Sequence, residues 1–233
     1  MKLFFDTEFT GLRKDTELIS IGIIAESGDV FYAEITDYDP SLGCGIDLNT
    51  NMSGDEYHKL FVSSPEFRNA IWIRENVINK LFLDKPECDT YTTFESFFGR
   101  YNMTVKRGSK YEVGVALYNW LDILAKKYDM LTFVSDVAHY DFVLLIDLIV
   151  QVVGKTALDL PKYICPACYD INQLIMENHK CNMAQAFDLN REKIALHKDL
   201  SSEYAEILKN DNLKHNALFD AIVIQCIYEK YSI

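Results

Sequence analysis

Basic residues are scarce in this sequence. Lys and Arg total 23 against 35 Asp and Glu, a formal net charge of −12. A protein that grips duplex nucleic acid through its phosphates needs cations to replace the counterions. The deficit argues against tight, sequence-independent duplex binding. It leaves chemistry on nucleic acid open, because bound divalent metals reverse the local field at an acidic site. Long apolar runs are missing as well. The longest, Phe142 to Val153, is broken by Asp147 and is too short to cross a bilayer. An acid already stands at Asp6, too early for the apolar segment of a secretory leader. No repeat, low-complexity tract or linker is visible in the 233 residues. The six cysteines lie in a chain that is neither short nor visibly secreted, so free thiols in a reducing cytoplasm are expected. What is present is ordinary for a globular protein: 49% hydrophobic and 25% charged residues. A chain of this length can bury a core without staples. It suits one domain over residues 1–233 with a helical and loop insertion at about 36–115.

Residues Lys2 to Glu8 read as a strand with Leu3, Phe5 and Thr7 on one face and Phe4, Asp6 and Glu8 on the other. Leu18 to Ala25 and Val30 to Ile35 read as two more, joined by the turn signal Ser27-Gly28-Asp29. Ser64-Pro65-Glu66 marks a helix start, running towards Leu83. Val113 to Lys127 has helical spacing of apolar residues. Leu131 to Ser135 reads as a fourth strand in parallel entry, Tyr140 to Val153 as a buried helix, and Cys168 to Ile171 as a short fifth strand. A helix follows through Asn172 to Asn178, residues 180–214 are polar and mixed, and Ala217 to Lys230 is a last helix. The order predicts an α/β fold: a mixed five-stranded sheet, an antiparallel three-strand meander plus parallel strands, flanked by helices.

Carboxylates stand out at three places. Asp6 and Glu8 share one face of the first strand. Two acids held that close repel unless a cation lies between them, and a hard divalent ion such as Mg²⁺ or Mn²⁺ suits oxygen donors. Taken alone, this pattern fits an exposed strand end equally well. Asp136 and Asp141 lie where the fourth strand gives way to a helix; either could reach the tip of the first strand, or merely cap the helix. His215 and Asp220 bracket the start of the last helix, where the dipole favours anions.

The conjunction carries the reading. Asp6-Thr7-Glu8-Phe9-Thr10-Gly11-Leu12, Tyr140-Asp141 and His215-Asn216-Ala217-Leu218-Phe219-Asp220 resemble, in order, the three motifs of the DEDDh branch of the DnaQ-like 3′–5′ exonucleases. They span residues 6–220. The second motif departs from the commoner spacing: Ala138 lies three before Asp141, and Asp136 remains a rival. The short lead to Asp6 and the Phe9-Thr10-Gly11-Leu12 run resemble a bacterial and phage group of stand-alone exoribonucleases.

The resemblance implies a ribonuclease H-like fold and removal of nucleotides from single-stranded RNA or DNA 3′ ends, RNA favoured, to 5′-monophosphates. It implies two divalent metal ions, Mg²⁺ or Mn²⁺, held by Asp6, Glu8, Asp141 and Asp220, with His215 taking the proton from water. Backbone groups of Thr10, Gly11 and Leu12 would meet the terminal sugar and Leu12 would wedge against the last base, with simple core packing the other reading of Leu12. Phe9 and Tyr140 could stack on bases or be buried. No membrane partner is implied, and a second copy of the chain is a possible partner. Residues 100–110 carry four basic residues and no acid, fitting either a substrate track or a solvated hairpin. Cys165, Cys168 and Cys181 could bind zinc or stay buried thiols. A non-catalytic binding module or a polymerase-associated proofreading subunit on the same fold are the competing functions.

Overall fold

Three strands open the chain: β1 (Lys2–Phe9), β2 (Leu18–Ala25) and β3 (Val30–Ile35). They form the antiparallel meander that their period-2 pattern dictates. In the β2–β3 turn Gly28 adopts φ 84, and the Ser27 hydroxyl donates to Asp29 at 2.6 Å. The computed structural model describes residues 1–48, 50–83, 101–154, 156, 159–197 and 200–232. Two helices follow β3: α1 (Gly54–Ser63), and α2 (Pro65–Asn76), which starts on the Ser64 cap and stops before a single 3₁₀ turn at Ile78–Lys80.

The sheet has six strands, not five, in the order β4-β3-β2-β1-β5-β6. The additional one is β4 (Met103–Gly108), parallel to β3. The positive run is therefore an edge strand leading into α3 (Lys110–Ala125). Its described cations meet acids: Lys106 with Glu112, Arg107 with Glu34 at 3.8 Å, and Lys110 with Asp147. That leaves no open cationic track there; Arg100 lies outside the described residues. On the other side of β1, β5 (Thr132–Ser135) and β6 (Tyr169–Asp170) run parallel to it, as expected for a ribonuclease H-like sheet.

Alternation along the strands builds two cores. Leu3, Phe5, Ile21, Ile23, Phe31 and Ala33 pack on α3 and α4 (Ala138–Val153). Phe4, Ile24, Val30 and Tyr32 pack on the opposite layer, dominated by α9 (Ala217–Tyr231). The polar stretch before α9 folds into short helices: α5 (Ile171–His179), α6 (Met183–Phe187), α7 (Arg191–Ala195) and α8 (Ser202–Ile207). A third cluster sets Phe67, Ala70, Ile71 and Ile73 of α2 on Ile19, Leu42 and Leu48. Among the described residues no helix is long and apolar enough to cross a membrane.

Candidate active site

Asp6 and Glu8 stand near the end of β1, on the face that packs against α9. The register shifts between Glu8 and Phe9, so regular pairing breaks directly after the second acid. Thr7 points the other way and donates to Asp141 Oδ1 at 2.6 Å. Ser135, the last residue of β5, donates to the second oxygen of the same carboxylate. Asp141 is 2% exposed and lies in the first turn of α4; Asp220 lies in the first turn of α9. Each acid therefore sits where helix N–H groups favour negative charge.

A missing side chain lets α9 reach the sheet. Asp6 pairs with Gly22 across β1–β2, and Gly22 pairs with Tyr32 across β2–β3. A Cβ on Gly22 would lie 2.3 Å from the Cα and N of Leu218. The helix backbone thus rests on the sheet backbone. That contact brings Asp220 over β1, and Glu8, His215 and Asp220 offer ligand atoms that all lie within 4.8 Å of one another.

His215 precedes the cap of α9 with φ 61, a left-handed conformation that a side chain disfavours. Its ring meets Trp72 of α2 edge to face, with centroids 5.0 Å apart at 73°. Asn216 caps the helix by accepting the Leu218 N–H at 3.1 Å.

The charges are strained against one another. Burial raises the Asp6 carboxyl well above its ordinary range, and Asp141 and Asp220 raise it further. Burial does the same to Glu8, followed by Asp220 and Asp141. Asp220 is pushed up to about 8, by burial first and then by Glu192 and Asp136. Burial pushes Asp141 up to about 6, although the Ser135 and Thr7 hydroxyls pull it down. Desolvation lowers His215, with Lys214 and Lys80 adding to it and Glu192 opposing.

These groups open into a cavity of about 850 Å³. Phe9, Gly11, Leu12 and Tyr140 line it. Leu12 is 68% exposed, so it is not a core residue. Phe9 and Tyr140 stack on each other, centroids 6.0 Å apart. Thr10 is buried, and its hydroxyl accepts the Glu17 N–H at 3.0 Å, closing the loop from within. Asp136 is also on the cavity wall, but Arg191 Nε donates to it at 3.0 Å and Asn172 Nδ2 at 2.9 Å. No cysteine joins the cluster of metal-ligating side chains found among the described residues, and Cys165, Cys168 and Cys181 are free thiols.

Trp72, Arg191 and Glu192 are among the cavity residues that no motif marks. Trp72 is half-exposed on α2. Arg191 and Glu192 open α7, and Glu192 pairs with Lys214 at 3.2 Å, beside His215. Only the Asn190 cap of α7 could have drawn the eye to that segment.

No protein-family model matches the chain. Two curated proteins of Mycobacterium tuberculosis, from strains CDC 1551 / Oshkosh and ATCC 25618 / H37Rv, are each 50% identical to it over 40 residues. Both are named 3′–5′ exoribonuclease. The match covers 17% of this chain and spans about a quarter, 24%, of each relative's length.

Proposed function

We propose that the protein is a two-metal-dependent 3′–5′ exonuclease of the DEDDh type, acting on single-stranded nucleic acid with RNA favoured over DNA. The observation that carries this reading is the convergence of Glu8, Asp220 and His215 atoms within 4.8 Å, beside an Asp6 carboxyl raised by burial and then by Asp141, Asp220 and Glu8. The partial relatives, named 3′–5′ exoribonuclease, support the 3′–5′ exonuclease part of this reading.

The donor set fits hard divalent cations. It offers carboxylate oxygens and no thiolate. The nearby cations do not neutralise these acids, because Arg191 pairs with Asp136 and Lys214 with Glu192 and Asp211. Asp6, Glu8, Asp141 and Asp220 would hold Mg²⁺ or Mn²⁺, which when bound supply charge neutralisation at the phosphate and a more acidic water. Asp141 is the second-motif carboxylate in this reading, because Arg191 neutralises Asp136, whereas the partners of Asp141, the Thr7 and Ser135 hydroxyls, are uncharged. His215 stays neutral as its proton affinity is lowered, so it can accept the proton of the attacking water. Leu12 and Trp72, both exposed on the cavity wall, would flank the terminal nucleotide.

A denaturing-gel time course on 5′-labelled RNA and DNA oligomers tests the activity. Mn²⁺ or Mg²⁺ should give laddering from the 3′ end, EDTA should stop it, and Asp6→Ala should be inert. A fully active Asp6→Ala variant would overturn the site; no cleavage with any metal would favour a binding module. Trp72→Ala on the inert Asp6→Ala background should weaken single-strand binding about tenfold, measured by anisotropy, as loss of one stacked base does. Unchanged binding would remove Trp72 from the substrate contacts.

A further inference from the structure

We infer that Tyr32 and Asn216 are positioning residues for His215, held through a buried polar relay that runs from β3 to the N-terminus of α9. Neither approaches the reacting atoms. Both act through the backbone that aims the histidine. The inference rests on the proposed exonuclease reading for its kinetic consequence, and on geometry alone for its structural one.

The left-handed backbone at His215 has no glycine to relax it, so something must hold it there. The next residue, Asn216, is 1% exposed. Its amide is fully used. Oδ1 accepts the Leu218 N–H at 3.1 Å. Nδ2 donates to the Tyr32 hydroxyl at 3.1 Å and to the Lys80 carbonyl at 3.0 Å. A primary amide has two N–H donors, and these two partners take them.

Tyr32 is fully buried and passes the connection on, donating its hydroxyl to Glu34 Oε1 at 2.9 Å. Glu34, 1% exposed, also accepts the Leu83 N–H at 2.7 Å and faces Arg107. Tyr32 and Glu34 are two residues apart on β3 and so share the face under α9. A buried carboxylate is costly unless hydrogen-bonded, which makes the relay a fixed anchor rather than a loose contact.

Sheet register shows what the anchor controls. Asp6, Gly22 and Tyr32 form one row across three strands. Gly22 is the notch in which α9 rests, and the helix is held on both sides of it. On one side Asp220 neighbours the carboxylates of β1; on the other Asn216 is tied to Tyr32. The Lys80 carbonyl brings in the turn after α2, the helix that presents Trp72 to the His215 ring. The histidine is thereby located relative to β1, β3 and α2 together.

Tyr32→Phe removes one hydroxyl and keeps the ring. In the full-length protein it should lower kcat at least tenfold and leave KM within twofold. Combined with His215→Ala it should add nothing to the loss seen in His215→Ala alone, whereas losses that multiply would mean only general destabilisation and overturn the inference. A second arm needs no activity. With ¹³C-labelled histidine rings, the His215 cross-peak, assigned by its absence in His215→Ala, should shift or broaden in Tyr32→Phe while the other four histidines hold. A His215 peak that does not move overturns the inference even if nuclease activity is robust. A peak that moves in a protein without nuclease activity supports it and rejects the functional reading instead. Should Tyr32→Phe fail to fold, Asn216→Ser, which keeps the helix cap and loses both donors, is read the same way.

Discussion

Replacing Asp220 by Asn is expected to lower the proposed nuclease turnover by about 10³-fold or more. The same change should make the metal-free protein more stable at alkaline pH, by about 1–2 kcal/mol or roughly 2–8 °C. Both effects come from one carboxylate. Asp220 is partly buried among Glu8, Asp141, Glu192 and Asp136, and its proton affinity is pushed up to about 8 from the ordinary 3.8. An acid whose folded pKa lies above its unfolded one keeps its proton longer in the native state. The native state then binds more protons than the unfolded chain between those two values, and stability falls as pH rises through that window. The loss is complete above the folded pKa. Asp141, pushed up to about 6, adds a smaller loss of the same sign. Asn is neutral throughout, so its advantage should grow between about pH 5 and about pH 8. Melting curves in EDTA at the two pH values measure this. A wild-type protein that is the more stable at both would contradict the electrostatics. Adding Mn²⁺ should reverse the order: a cation that binds only the folded protein stabilises it by mass action, and the variant has lost a donor.

The strands and the acids were legible for different reasons. β1, β2 and β3 stood out because alternation faces two cores and Ser27-Gly28-Asp29 closes the hairpin. β4 did not, because an edge strand with one covered face can carry Lys106 and Arg107, which read as loop. α1 hid for a related reason: it buries no residue, and only its Ser53–Glu56 capping box betrays it. The segment 180–214 resolved into helices too short to show a period. In the site, Asp6, Glu8, Asp141, His215 and Asp220 were visible as motif residues. Trp72, Arg191 and Glu192 were not, since each reaches the site through packing that links distant parts of the chain. Thr10 was legible as a motif position, but the use of its hydroxyl was not: it closes the loop by accepting the Glu17 N–H, a contact no spacing announces.

Gly22→Ala is expected to cost about 3 kcal/mol of stability, roughly 6–12 °C in Tm, and to lower activity far more than that loss explains. Two terms of opposite sign compete. Alanine in a strand is intrinsically better than glycine by about 0.5–1 kcal/mol, because the unfolded chain has less freedom to lose. Against this, the new methyl would stand 2.3 Å from the Cα and N of Leu218 and 2.5 Å from the carbonyl carbon of Ala217. These are backbone atoms, so no rotamer change relieves the clash, and α9 must lift from the sheet. The steric term wins. Lifting the N-terminus of α9 carries Asp220 and His215 away from Glu8 on β1, and their atoms now lie within 4.8 Å of one another. Gly114→Ala separates the two effects. Its methyl would meet the Leu148 carbonyl oxygen at 2.7 Å, between α3 and α4 on the other face of the sheet. That variant should also lose stability, yet keep kcat when assayed well below its Tm. If both glycine variants lose activity only in proportion to stability, α9 is a core helix that happens to carry two motif residues. If Gly22→Ala alone loses turnover while still folded, the glycine opposite Asp6 belongs to the site as much as the acids do.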